Sequence, residues 1–273
     1  MGKLQKDVLQ VVYWKGCRLR PLVSVITTLY NCERFIKESL DSICNQQGFD
    51  DFEWLIYSDS PTDSTWNIVE KYKFSCKRPV IRIPSAINIK IPRRRNQAIS
   101  QASGKYIAIH DGDDISLPER LKTEVEFLES CNDIFCVGSH AIKIDLDGNQ
   151  LESMDYPPET PKQNISHLYA KRRNPIIDPT SMFRREDFIE MGGYTLRDEI
   201  YTVPDMDLWC RAILNGRQLA NIQKPLIKYR INPDGMTALK QSEMIRSHII
   251  VWKHFCSEYR KKILSEFTRK ISK

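Results

Sequence analysis

The sequence predicts an α/β fold: a doubly wound mixed sheet with helices on both faces and a helical extension at the C-terminal end. Three observations carry this. Short β-branched runs alternate with stretches of helical spacing through the first half, the rhythm of βαβ units. A chain of 273 residues suits one large domain and can bury a core without staples. Residues 236–273 read as an amphipathic helix with basic residues beside an apolar stripe.

Taken in order, Val23–Ile26 is a buried parallel strand by composition, and Ile36, Leu40 and Ile43 then share one helix face. Trp54–Tyr57 is the second strand, followed by a helix with Trp66, Val69 and Tyr72 on its inner edge. Val80–Ile83 is the third, and a helix carrying Ala98 and Ile99 leads to the fourth, Tyr106–Ile109. Leu117, Leu121, Val125 and Leu128 recur at helical spacing, with Pro118 expected in the first turn. Asp147-Gly148-Asn149 is a hairpin turn and the Pro-rich residues 155–163 a loop. Asp205–Leu214 reads as a helix and Leu226–Ile231 as a strand. The last helix places Trp252, Phe255, Tyr259, Ile263 and Phe267 on one stripe.

Composition narrows the function. With 41% hydrophobic and 28% charged residues, the chain is neither disordered nor fibrous. Its apolar runs all fall short of the roughly 20 residues that cross a bilayer. The N-terminus lacks the pattern of a signal peptide. The eight cysteines form no CxxC pair and are expected as free thiols in a reducing compartment; the sequon at Asn164 is then a chance match. Net charge is +6, with +4 in residues 1–22 and +5 in residues 251–273, so the body between is slightly acidic. Basic ends favour an anionic surface or simply solubility. Without a helix-turn-helix or zinc pattern, nucleic acid is not an expected partner.

Ligands of doubly wound sheets bind beyond the carboxyl ends of the strands. There Tyr106–Ile109 runs into His110-Asp111-Gly112-Asp113-Asp114, three carboxylates in four positions. Such a cluster repels itself unless a cation neutralises it, and oxygen ligands select a hard ion, Mg²⁺ or Mn²⁺. The small Gly112 is expected to let a ligand approach the backbone. Thr28 and Tyr30 close the first strand, Asp59 the second, and Arg93-Arg94-Arg95 precede a helix. An aromatic face, a carboxylate and a basic cluster at one edge are what a nucleotide needs.

In order and spacing, Tyr30-Asn31, Asp59-x-x-x-Asp63-x-Thr65, Arg95-Asn96-x-Ala98, Gly104-x-Tyr106-Ile107, Asp111-Gly112-Asp113-Asp114, Met182-Phe183-Arg184, Gly192-Gly193-Tyr194, Asp205-x-Asp207-Leu208-Trp209-x-Arg211 and Tyr229-Arg230 resemble the family 2 glycosyltransferases over roughly residues 22–235. The resemblance implies a GT-A, Rossmann-like fold and an inverting, metal-dependent transferase (hexosyltransferase type) using a nucleotide sugar, UDP-hexose or UDP-N-acetylhexosamine. It implies a glycan or glycolipid acceptor of bacterial surface polysaccharide or lipopolysaccharide synthesis. Thr28 and Tyr30 would line the base, Asp59 would accept its imide N–H and Arg95 would hold the nucleotide. Asp111 and Asp113 match the DxD motif, Asp113 on the metal and Asp111 beside the ribose or metal. Asp205 matches the general base; without the resemblance, an N-cap would be its reading. The chain departs from the family's pattern at Ser58, at Pro204 and at Asn232, where relatives often carry acidic residues or histidine.

The expected organisation is a basic extension over 1–21, a glycosyltransferase domain over 22–235 and the helix over 236–273, which invites an oligomer or a peripheral contact with the membrane's inner face from the cytoplasm. The domain divides into a nucleotide-binding half, 22–115, and an acceptor half, 116–235. Two other functions compete. A sugar nucleotidylyltransferase needs a glycine-rich loop after the first strand, and Thr27-Thr28-Leu29-Tyr30 has no glycine. A non-catalytic nucleotide-sugar-binding protein would keep the nucleotide residues and lose turnover.

Overall fold

The computed structural model describes residues 10–12, 20–74, 78–155 and 174–271, by backbone alone at 10–12 and 266–271. Strands β2 (Val23–Leu29), β3 (Phe52–Ser58), β4 (Val80–Ile83) and β5 (Tyr106–Ile109) pair in parallel in the order β4-β3-β2-β5. Helices α1 (Ile36–Cys44), α2 (Thr65–Lys71) and α3 (Ile91–Gln101) connect them. The strand period of two sorts side chains between two cores. Val25, Trp54 and Ala108 pack toward Leu40 of α1 and Val69 of α2, while Ile26, Leu55 and Ile107 pack toward Ala98 and Ile99 of α3. Strands buried on both faces are mostly apolar, and the buried exceptions are hydrogen-bonded, as Ser24 is to Glu53 at 2.6 Å, so these strands were legible as short apolar runs.

The sheet continues through the second half. Strand β9 (Met182–Arg184) lies antiparallel between β5 and β7 (Ile134–Ile144), and β10 (Gln218–Arg230) runs parallel to β7. The two-residue β6 (Ile115–Ser116) closes that edge, β8 (Gln150–Met154) forms a hairpin with β7, and β1 (Gln10–Val12) pairs with β4 at the opposite edge. Helices α4 (Arg120–Ser130), α5 (Arg185–Glu190), α6 (Pro204–Leu214), α7 (Met236–Leu239) and α8 (Gln241–Ile271) complete the described elements.

Several local expectations change. Helix α4 begins at Arg120, so Pro118 lies ahead of it, its carbonyl accepting the Gln47 N–H at 2.6 Å. The final strand starts at Gln218, eight residues before the apolar run, and crosses Pro225 at a register shift. The turn at Asp147–Asn149 is as expected, with Gly148 at φ 86°. The loop at 155–163 and the sequon lie outside the described residues, save Asp155. The C-terminal stripe packs on the domain: Phe255 is buried, with Trp252 and Tyr259 against the same core. Ile263 remains exposed, and the Phe267 side chain lies outside the described residues. Thr202 donates to Ser247 Oγ at 3.0 Å, and Ser247 donates to the Glu199 carbonyl at 2.8 Å, fastening α8 to the loop ahead of α6. Among the described residues no helix is long and apolar enough to cross a membrane.

Under β5, His110 is fully buried between Ser39 Oγ at 2.8 Å and Ser116 Oγ at 3.2 Å. Burial, with Arg120 nearby, pushes its imidazole down to about 3. Its unfolded value is about 6.5, so this neutral histidine supports the fold above pH 6.5 and loses that support as pH falls toward 3. By pH 5 the loss is about 2 kcal/mol. His110→Gln keeps one hydrogen bond and is expected to flatten the acid limb of stability, read as urea unfolding at pH 7 and pH 5. An unchanged pH slope would contradict a neutral buried imidazole.

Candidate active site

The carboxyl ends of β2, β3 and β5 meet the N-terminal ends of α3 and α6 at one edge. Among the described non-glycine residues, those with left-handed backbone all sit here: Asn31 (φ 46°), Ser60 (φ 57°) and Lys90 (φ 69°). Such conformations cost of order 1–3 kcal/mol each and persist where surrounding contacts impose them. The Asn31 side chain accepts the Thr62 N–H at 2.8 Å, while Asp63 accepts the N–H groups of Glu33 and Thr65 at 3.0 and 2.9 Å. The first two strand-end loops are thus tied together, leaving Tyr30 52% exposed and Thr28 half-buried beside it.

Asp59 is buried, and one oxygen, Oδ1, takes both of its hydrogen bonds: the Ile89 N–H at 2.9 Å and Arg94 Nε at 3.1 Å. Arg94, 2% exposed, also donates to Gln97, Ser85 Oγ and the Ile87 carbonyl. Sequence reasoning saw three arginines and chose Arg95. Arg94 clamps Asp59, whereas Arg95 is drawn into a carboxylate cluster.

That cluster was only partly foreseen. Arg95 donates to Asp111 Oδ1 at 2.7 Å and to Asp178 Oδ2, with the Tyr194 ring 5.9 Å away. Burial pushes the Asp178 carboxyl up to about 7, with the Asp205 and Asp111 charges adding to it against Arg95. Asp205 therefore lies within electrostatic reach of Asp178, and Asp178 links it through Arg95 to the acidic turn. Asp178 is the residue that sequence reasoning missed as a functional candidate; an acidic residue before proline in an irregular stretch gave no signal.

Asp205 stands second in α6, where Val203 is the cap, so the N-cap reading is excluded. Its carboxylate accepts from Asn174 and from the Met206 N–H, and burial raises its pKa above the usual range. Asp207 instead accepts from Thr195 Oγ1 at 2.6 Å and Arg211 Nε at 2.8 Å, while Arg211 donates to the Met191 and Gly193 carbonyls. The second acid and its arginine hold the helix that presents the first.

In the acidic turn, burial and the Asp111 charge push Asp113 up to about 6. Asn232 hydrogen-bonds its carboxyl, so the residue at the histidine slot faces Asp113. Asp114 accepts the Arg230 N–H at 2.9 Å through Oδ1, yet its Oδ2 is buried without a partner. Arg230 also donates to the Asp113 carbonyl at 2.9 Å and to Glu38 at 2.6 Å, which explains the Tyr229-Arg230 motif as a brace. Among the described residues no three His, Cys, Asp or Glu side chains converge as a complete metal cage. A raised Asp113, an orphaned Asp114 oxygen and an acidic surround nonetheless fit a divalent cation whose remaining ligands come from a diphosphate.

Gly112 is a correction. A Cβ there would lie 2.4 Å from Leu29 Cδ2 and 2.9 Å from Cys32 Sγ. The missing side chain makes room for the β2–α1 core rather than for a ligand. Gly112→Ala is expected to cost about 1–3 kcal/mol by overpacking, measured by denaturant unfolding. A variant as stable as the parent would remove this reading.

The mixed α/β sheet with helices on both faces has the GT-A architecture, and it superposes on the crystal structure of Staphylococcus aureus TarS residues 1–349 in complex with UDP with TM-score 0.63 at 23% identity. That match covers 84% of this chain and 64% of the TarS chain, so this chain spans somewhat under two thirds of it. The family model for glycosyl transferase family 2 matches residues 24–192. An uncharacterized glycosyltransferase of Methanocaldococcus jannaschii is 33% identical over 247 residues, covering 87% of this chain and 83% of that protein. The amylovoran biosynthesis glycosyltransferase AmsE of Erwinia amylovora is 25% identical over 234 residues, 85% of each chain. The chain belongs to glycosyl transferase family 2 and is a glycosyltransferase.

Proposed function

We propose that the protein transfers a sugar from a UDP-sugar to a hydroxyl of a glycan or glycolipid acceptor in surface-polysaccharide synthesis, with inversion at the anomeric carbon. The observation that carries this is the joining of the acidic turn after β5 to Asp205 of α6 through Arg95 and Asp178. A leaving-group site and a base are thereby held in one cluster. The AmsE name supports a polysaccharide acceptor, and the UDP complex of TarS supports the nucleotide.

In this reading Tyr30 stacks on the base, Thr28 lines it, and Asp59 accepts the imide N–H through the oxygen that Arg94 leaves open. Asp113, with Asp111 beside it, would hold Mn²⁺ or Mg²⁺. When bound, the ion offsets charge developing on the departing diphosphate. Arg95 fixes the Asp111 carboxylate, so it orients the acidic turn in addition to any contact with nucleotide. The acceptor oxygen attacks the anomeric carbon as the bond from that carbon to the diphosphate oxygen breaks. The bonding pair leaves with UDP, and the hydroxyl proton passes to Asp205. Desolvation makes Asp205 a stronger base than a solvated carboxylate.

The test is release of UDP or another nucleotide from a panel of nucleotide sugars, with Mn²⁺ and with EDTA. Metal-dependent release from a UDP-sugar is expected. Binding without release would favour the non-catalytic alternative, and pyrophosphate-dependent formation of a nucleoside triphosphate would favour a nucleotidylyltransferase.

A further inference from the structure

A cavity of about 210 Å³ lies between the start of α3 and the loop leading into α6, lined by Asn88, Lys90, Arg93, Leu196, Asp198 and Tyr201 among others. At about 30 Å³ per water it has room for roughly seven waters, or one sugar ring. Of the three arginines read as a nucleotide cluster, Arg94 and Arg95 are spent on Asp59, Asp111 and Asp178, which leaves Arg93 to this cavity; the other five residues have no place in the machinery described above. The cavity adjoins that machinery on both sides, however. Ile89 lies between Asn88 and Lys90 and donates its N–H to Asp59, and Tyr201 lies on the loop that leads into α6, the helix that carries Asp205.

Its walls have a definite chemistry. Lys90 Nζ sits 4.3 Å from the centre of the Tyr201 ring and 3.1 Å from Asp198 Oδ1. The Tyr201 hydroxyl donates to Glu243 of α8 at 2.7 Å, which fixes the ring as a wall. Arg93 is exposed, and among the described residues no carboxylate pairs with it. Two cations therefore face one carboxylate, and that carboxylate is 86% exposed. A solvent-screened pair of this kind is weak and yields readily to a better-placed anion. Lys90 also holds φ 69° and ψ 153°, a conformation that glycine alone adopts freely, so the chain keeps this ammonium at a backbone cost.

The geometry points to a subsite for a sugar bearing a carboxylate or phosphate, its ring against Tyr201 and its anion between Lys90 and Arg93. This rests on the transferase reading, which supplies the glycan. The anion can belong to the acceptor or to the donor sugar, and the experiment separates the two.

The full-length protein with Mn²⁺ is first titrated with UDP. The UDP complex is then titrated with methyl glucuronide and with methyl glucoside, and in parallel UDP-glucuronate is compared with UDP-glucose. A preference of about tenfold for the charged member is expected in one arm, as two partly exposed ion pairs supply. Preference among methyl glycosides assigns the anion to the acceptor, and preference among nucleotide sugars assigns it to the donor. The Lys90→Gly/Arg93→Gln variant should bring the ratio near one while still binding UDP and keeping thermal stability, since glycine relaxes the backbone at position 90. Equal binding in both arms, or a preference that survives in the variant, overturns the subsite alone. Failure to bind UDP at all overturns the UDP-sugar reading instead.

Discussion

Asp205→Asn is expected to lower kcat by about 10²–10⁴-fold, the range that general-base catalysis supplies, with donor affinity nearly unchanged. The carboxylate is partly buried and is held by the Asn174 side chain and the Met206 N–H. Asparagine keeps the size and can still accept, but it cannot take a proton. The control is Asp207→Asn. That residue is spent on Thr195 and Arg211, so its replacement should show in unfolding before it shows in turnover. A larger loss of kcat in a well-folded Asp207→Asn than in Asp205→Asn would exchange the two roles. Because burial raises the Asp205 pKa, kcat should also fall as pH drops through that raised value, where the base becomes protonated and inactive.

Asp113→Asn is expected to remove the Mn²⁺-dependent part of UDP affinity. Even partners behind a metal ligand cost about 10–100-fold when lost, so the ligand itself should cost at least that. Titration calorimetry of UDP with and without Mn²⁺ reads the effect directly. The substitution also removes a negative charge from a crowded turn, which eases the repulsion felt by Asp111 and Asp114. Stability should therefore hold or rise while metal-dependent binding disappears. Equal Mn²⁺ dependence in the variant and the parent would place the metal elsewhere.

The nucleotide-facing half was legible because it is built from buried parallel strands. Val23–Ile26, Trp54–Tyr57 and Tyr106–Ile109 are mostly apolar and buried on both faces, with Ser24 the buried exception, and the polar residues cluster after them at the edge where ligands bind. The second half was less so. Strand β7 runs Ile134-Phe135-Cys136-Val137, then Gly138-Ser139-His140, then Ala141-Ile142-Lys143-Ile144, and that non-apolar middle hides its length. Gly138 is there because a Cβ would come within 2.6 Å of Asn221 Oδ1 and Ile176 Cγ2, a fact of packing between distant segments. Strand β9 is three residues long and finds its place only by pairing on both sides.

The site divides along the same line. Asp59, Asp111 and Asp113 follow strands and could be found by position. Asp178 and the separate tasks of Arg94 and Arg95 could not, because adjacent arginines on a helix point about 100° apart. That difference sends Arg94 to Asp59 and Arg95 to Asp111 and Asp178. Gly112 shows the reverse failure, since its place in a motif drew a ligand-facing explanation for a residue fixed by core contacts.

The central claim is a single in-line displacement with Asp205 as the base, and the anomeric configuration of the first product tests it most directly. The protein is incubated with the UDP-sugar it turns over and Mn²⁺, and the sugar released to water or acceptor is followed by proton NMR before it mutarotates. An α-linked donor should give the β-anomer first, at a rate that Asp205→Asn lowers by about 10²–10⁴-fold. Initial appearance of the α-anomer, or an inverted product formed at an unchanged rate by Asp205→Asn, would contradict it.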